Sequence, residues 1–102
     1  MRDKLSKADI QTKLEHSPGW KVADTGLSIS RNFAFASFAE AFGFMTEVAI
    51  IAEKLDHHPE WTNVWRKVSV TLTTHSAKGL TELDFKLAAA MSEIAKKRLF
   101  SP

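Results

Sequence analysis

The sequence predicts an α+β two-layer sandwich, with elements in the order helix, two strands, helix, one or two strands, helix. Two observations predict it. Three helix-start signals of one type each open a run of apolar residues at three- and four-residue spacing. The stretches between those runs alternate in polarity or are rich in Val, Thr and Trp, which favour strands. Antiparallel hairpins with helices between them leave one sheet face covered, and the open face should carry the polar residues.

Ser6-Lys7-Ala8-Asp9 reads as a capping box in which Ser6 accepts the amide proton of Asp9, with Leu5 and Ile10 placed as a hydrophobic staple. Its helix runs from about Lys7 to Glu15 and stops at His16-Ser17-Pro18-Gly19. Trp20-Lys21-Val22 and 27–35 then read as strands around the turn Asp24-Thr25-Gly26, with Leu27, Ile29, Arg31, Phe33 and Phe35 on one face. Ser37-Phe38-Ala39-Glu40 repeats the box. Its helix runs from Phe38 to about Leu55 with a stripe of Phe38, Ala41, Phe42, Met45, Val48, Ala49, Ala52 and Leu55, and Pro59 forbids much extension. Between Trp61 and His75, Val64, Val68, Val70 and Leu72 share one parity, and pattern alone leaves open whether Arg66-Lys67 is a turn or mid-strand. Thr81-Glu82-Leu83-Asp84 is the third box, with Leu80 and Phe85 as its staple. It opens a helix from Glu82 to about Leu99 with Leu83, Leu87, Met91 and Ile94 on one face, widened by Phe85, Ala88 and Ala95.

A chain of 102 residues, 44% hydrophobic and 25% charged, is sized for a single domain (1-102) with one real core. No apolar run approaches the ~20 residues of a membrane span, and the composition is too apolar for disorder. Zero cysteines exclude a disulfide scaffold, a thiolate zinc site and a cysteine nucleophile. The net charge of +2 is spread along the chain, and its one basic cluster, Lys96-Lys97-Arg98, sits where a helix dipole favours cations. Direct nucleic-acid binding is therefore not expected. Met1-Arg2-Asp3-Lys4 opens no secretory signal, so the expected compartment is the cytoplasm. Open sheet edges on so small a chain point to edge pairing into an oligomer.

Three of the four histidines fall in one neighbourhood. His57 and His58 end the second helix, and His75 ends the strand that follows. Glu53 lies one helical turn before His57, so its carboxylate can face that ring. Imidazoles exchange protons near neutrality, and three in one cleft, oriented by Glu53, Asp56 or Asp84, would suit proton delivery and removal. Plainer readings stand beside this one. A His-His pair can simply cap helix carbonyls, Glu53 and Asp56 can be solvated, Asp84 can be a helix cap, and Trp20, Trp61 and Trp65 can be packing residues. His16 reads as a turn residue. Zinc is disfavoured because adjacent residues rarely share an ion and no HExxH spacing is present. No serine sits in a nucleophile elbow, and the four glycines are isolated, which excludes a phosphate loop.

At these residues the chain resembles the pterin-4a-carbinolamine dehydratases, also known as the dimerization cofactor of a hepatocyte homeodomain transcription factor. The family spacing is an acidic residue, then His-His-Pro, an aromatic, a His and an Asp. Glu53, His57-His58-Pro59, Trp65, His75 and Asp84 fill it, and Gly19-Trp20 and the Ala41-Phe42-Gly43-Phe44-Met45-Thr46 run agree. The resemblance implies a four-stranded antiparallel sheet with three helices on one face, and a hairpin of Trp61–Trp65 with Val68–Thr74. It implies dehydration of a 4a-hydroxytetrahydropterin to quinonoid dihydropterin and water, with no metal or organic cofactor. His57 and His75 would then transfer protons, His58 would hold and orient the pterin, and Glu53 would tune an imidazole. Asp56, Thr73, Thr74 and Ser76 would line the pocket, Trp20 would wall it, and Asp84 would support it. Thr73 stands where the family carries serine, which adds a methyl and keeps the hydroxyl. The resemblance also implies a homodimer or homotetramer, a pathway link to an aromatic amino acid hydroxylase in tetrahydropterin recycling, and a coactivator-like protein partner on the second or third helix. No membrane partner is implied.

Overall fold

The computed structural model describes residues 2–98 and the backbone of 100 and 101. The predicted α+β architecture is what forms. Helix α1 (Lys7–Glu15) precedes strands β1 (Lys21–Val22) and β2 (Ile29–Phe35), helix α2 (Phe38–Leu55), strands β3 (Glu60–Val64) and β4 (Lys67–Leu72), and helix α3 (Glu82–Lys97). A two-residue strand, β5 (Phe100–Ser101), ends the described chain, and Leu99, where the third helix was expected to end, lies outside the described residues. The antiparallel sheet has the order β1-β2-β4-β3, and Ala34 of β2 pairs with Lys67 on one side and Ser101 on the other.

All three helix starts are capped as their sequences imply. Ser6 and Ser37 hydroxyls each accept an amide proton at 3.1 Å, from Asp9 and Glu40. Only the third box is reciprocal, with Thr81 and Asp84 capping each other's backbone. Glu40 instead turns its carboxylate to Arg98 at 2.8 Å. Two paired acids, Glu47 foremost and then Glu40, raise the Arg98 pKa above its ordinary value.

The core lies between the helices and one sheet face. Ile29, Phe33 and Phe35 of β2 and Val68, Val70 and Leu72 of β4 all point into it. Phe44 of α2 lies 4.9 Å and 4.8 Å, centroid to centroid, from the rings of Phe33 and Phe35. Each such fully buried side chain contributes roughly 1.5–3 kcal/mol. Ser30, Asn32, Ser69 and Thr62 face outward, so the open face carries the polar residues as expected.

Two patterns resolve differently from their sequence reading. Within α2 the buried stripe is Ala41, Phe44, Val48 and Ala52, whereas Phe38, Phe42 and Ala49 are exposed. This helix is apolar on more than one face, and docking on the sheet selects the face bearing Phe44. Val64 does not share the core face with Val68. A two-residue turn, Trp65-Arg66, places Val64 opposite Lys67 on the open face, and Trp65 takes the left-handed conformation there (φ 54°). The turn also settles the hairpin, with β3 and β4 as separate strands.

Candidate active site

The histidine-bearing segments meet at one end of the sheet because each leaves a regular element there. Helix α2 ends at Asp56, which caps it in the left-handed conformation (φ 51°) and breaks the helical register. Its carbonyl accepts from Arg2 at 2.6 Å. The next residue, His57, turns inward and is only 6% exposed. Pro59 then leads into β3. After β4, Thr74 precedes a short 3₁₀ turn, His75–Ala77, and the chain enters α3 through Thr81.

A buried polar network ties these pieces together. Asp84 is fully buried, and its Oδ1 accepts from Nε2 of His57 at 2.5 Å. Its Oδ2 accepts from the Thr74 hydroxyl at 2.8 Å and the Thr81 amide at 3.0 Å. The two threonine hydroxyls lie 2.8 Å apart, and Thr81 Oγ1 accepts from the Leu83 amide at 3.3 Å. Proton donation therefore runs in one direction, from the Leu83 amide through Thr81 and Thr74 to the carboxylate. Among the described residues no buried side-chain nitrogen or oxygen lacks a partner. The His57 ring is held in this network through its Nε2.

Two surface pairs flank the network. His58 Nε2 lies 2.6 Å from Glu53 Oε1, and His75 Nε2 lies 3.1 Å from Glu60 Oε1. The circuit is closed. His57 and His58 are adjacent, Glu60 follows two residues later and meets His75, and His75 adjoins Thr74, which shares Asp84 with His57. The three imidazoles thus sit on segments that meet in a candidate patch at this end of the sheet, with His57 buried, His58 and His75 exposed, and Glu60 in register with Thr71 of the open face.

Glu53 departs from its expected partner. It meets His58 and not His57, because the i to i+4 relation ends where Asp56 leaves the helix. Asp56 is exposed and paired with Arg2, Ser76 is exposed on the 3₁₀ turn, and Thr73 gives its hydroxyl to the Leu27 carbonyl at 2.7 Å. Trp20 is not brought to this patch. It is a buried core residue whose Nε1 donates to Ser92 at 3.1 Å, and Ser92 lies eight residues beyond Asp84, or ~12 Å along α3. Sequence reasoning missed Glu60 and the role of Thr81 in the network. The first had no signal beyond its place after Pro59, and the second was visible only as a cap. No group of three or more His, Asp or Glu side chains among the described residues is arranged to hold a metal ion.

Comparison with known proteins identifies the family of the chain. The family model described as pterin 4 alpha carbinolamine dehydratase matches residues 3–94. The chain belongs to the pterin-4a-carbinolamine dehydratase family. A relative from Rhizobium leguminosarum bv. trifolii, provisionally named a pterin-4-alpha-carbinolamine dehydratase, is 57% identical over 96 residues, covering 94% of this chain and 95% of its own. A relative from Sinorhizobium medicae with the same provisional name is 58% identical over 97 residues, covering 95% and 92%. Among solved structures, the transcriptional coactivator/pterin dehydratase from Brucella melitensis superposes with a TM-score of 0.88 at 47% identity, covering 91% of this chain and 99% of that one. A pterin dehydratase-like protein identified as a RuBisCO assembly factor in the alpha-carboxysome gives 0.67 at 25% identity, covering 78% and 93%.

Proposed function

We propose that this member of the family dehydrates a 4a-hydroxytetrahydropterin to quinonoid dihydropterin and water by general acid–base catalysis, in support of tetrahydropterin recycling. The observation that supports this reading is the buried Asp84 network that holds His57, with His58 and His75 on adjoining segments, each paired with a carboxylate. In the reaction the bridgehead C–O bond breaks and the hydroxyl leaves with an added proton as water. The neighbouring ring N–H loses its proton, and its electron pair forms the C=N bond. One group must give a proton and another must take one, and neither a redox partner nor a metal is needed. His57 and His75 are assigned these transfers, and His58 the holding of the pterin. Asp84 anchors His57, and Glu53 tunes His58 in place of His57. The test is breakdown of 4a-hydroxytetrahydropterin in a coupled aromatic amino acid hydroxylase assay. His57→Ala and His75→Ala should each slow it by ~10²-fold or more. Wild-type protein no faster than buffer would overturn the reading.

A second reading, protein association, is favoured by the unpartnered face of α2, where Phe38, Phe42 and Ile50 are about half exposed. It covers self-association into a dimer or tetramer in the cytoplasm and docking of a coactivator-type partner. Sedimentation of wild type against Phe42→Asp tests the first of these. A variant of unchanged mass that keeps its dehydratase rate would remove this face from the assembly.

A further inference from the structure

Each of the three imidazoles presents the same atom to a carboxylate. Nε2 of His57 meets Asp84, Nε2 of His58 meets Glu53, and Nε2 of His75 meets Glu60. Asp84 and Glu53 belong to the spacing that marks the family, whereas Glu60 does not. We propose that Glu60 is a positioning residue: its carboxylate holds the Nε2–H of His75 and leaves Nδ1 of that ring as the atom that meets the substrate. This rests on the dehydratase reading above.

The backbones of both partners are held independently of the pair. Glu60 follows Pro59, whose ring limits its backbone, and opens the β3 ladder opposite Thr71. His75 opens a turn closed by Thr74 N–H to the Gly79 carbonyl at 2.9 Å and Lys78 N–H to the His75 carbonyl at 3.1 Å. An exposed ion pair, here 79% and 57% exposed, contributes little to folding. Its effect falls instead on the ring. An ionised carboxylate can only accept, so Nε2 must be the donor, and the hydrogen bond at one ring nitrogen sets the role of the other. Transfer at Nδ1 leaves the Nε2–H bond to Glu60 intact in the neutral ring and in the cation. A proton taken from the pterin ring N–H, or given to the departing hydroxyl, therefore crosses at Nδ1, and solvent restores the ring after turnover.

The test is a double-mutant cycle in the dehydration assay. Glu60→Ala should lower kcat on the order of 10-fold with KM little changed, and Glu60→Gln, whose amide oxygen still accepts, should recover part of the loss. The Glu60→Ala/His75→Ala double variant should be no slower than His75→Ala, because Glu60 acts through that ring. Losses that multiply would overturn the proposal, as would a Glu60→Ala variant at wild-type rate beside a slow His75→Ala. A His75→Ala variant at full rate would overturn it too, whereas wild-type protein no faster than buffer would instead overturn the dehydratase reading. Ring ¹⁵N spectra of the unliganded protein give a readout that does not depend on activity. The two His75 nitrogen shifts should be widely separated in wild type and move closer in Glu60→Ala, while those of His57 stay in place. Unchanged His75 shifts would refute the positioning role.

Discussion

Replacing Asp84 with alanine removes a fully buried carboxylate and leaves three donors without it: Nε2–H of His57, the Thr74 hydroxyl and the Thr81 amide. A buried donor left unpaired costs ~1–3 kcal/mol, and a lost helix cap costs ~1 kcal/mol. These costs are not additive, because the donors share one network and Thr74 keeps its neighbour Thr81 at 2.8 Å. The expected loss is therefore ~4 kcal/mol, within the ~3–5 kcal/mol of a broken buried pair. That is a large fraction of the ~5–15 kcal/mol available to a domain and lowers the melting midpoint by roughly 15–30 °C. Asp84→Asn keeps one acceptor but turns an amide group toward the remaining donors, so its loss should be smaller, ~2–3 kcal/mol. Urea unfolding at pH 7 and one protein concentration, followed by circular dichroism, measures both variants. Glu93→Gln, on an exposed pair with Lys96, serves as the control and should change stability by less than ~0.5 kcal/mol. An Asp84→Ala variant within about 1 kcal/mol of wild type would refute the reasoning, since the donors would then not depend on that carboxylate.

Phe44→Ala should destabilise by ~3–5 kcal/mol, because its ring is wholly buried against Phe33 and Phe35. In the same chemical denaturation series, Phe42→Ala, two residues away and 56% exposed, should cost the protomer less than ~0.5 kcal/mol. Ser37→Ala should cost ~1 kcal/mol of thermal stability through the bond to the Glu40 amide. Trp65→Asn should leave the dehydration rate unchanged, since β3 separates that turn from the Glu60 end by roughly 15 Å. Its stability should stay within ~0.5 kcal/mol, because relief of the left-handed backbone (φ 54°) offsets the lost stacking of Arg66 on the ring.

The elements were legible where their signals are local. A cap followed by apolar spacing needs only four to eight neighbouring residues, and Ser6, Ser37 and Thr81 each start a helix where that pattern places one. Properties that depend on tertiary docking were not. Helical spacing allows α2 to bury Phe42 or Phe44, and only the sheet beneath selects Phe44. The turn before β4 carries neither Gly nor Asn, the residues that usually mark positive φ; Trp65 takes that conformation, so the parity of Val64 could not be read. Glu53 was expected to face His57 because the helical rule was extended two residues past Leu55, the last residue of the helix.

Asp84 shows most clearly why spacing points to candidate residues but not to their wiring. Its position within a capping box and its position in the family spacing look like competing explanations of one residue. A carboxylate has two oxygens and about four lone-pair sites, so both can hold at once: Oδ2 closes the cap on Thr81, and Oδ1 fixes His57. The start of α3 and the orientation of a candidate catalytic ring therefore depend on the same buried group. Loss of Asp84 should reduce stability and rate together. Loss of the exposed Glu53 carboxylate, which pairs with His58, should reduce rate and leave the fold as it is. Sequence spacing records that two residues matter, but the sharing of one carboxylate between cap and site appears only when Thr74 and His57 arrive from separate elements to use it.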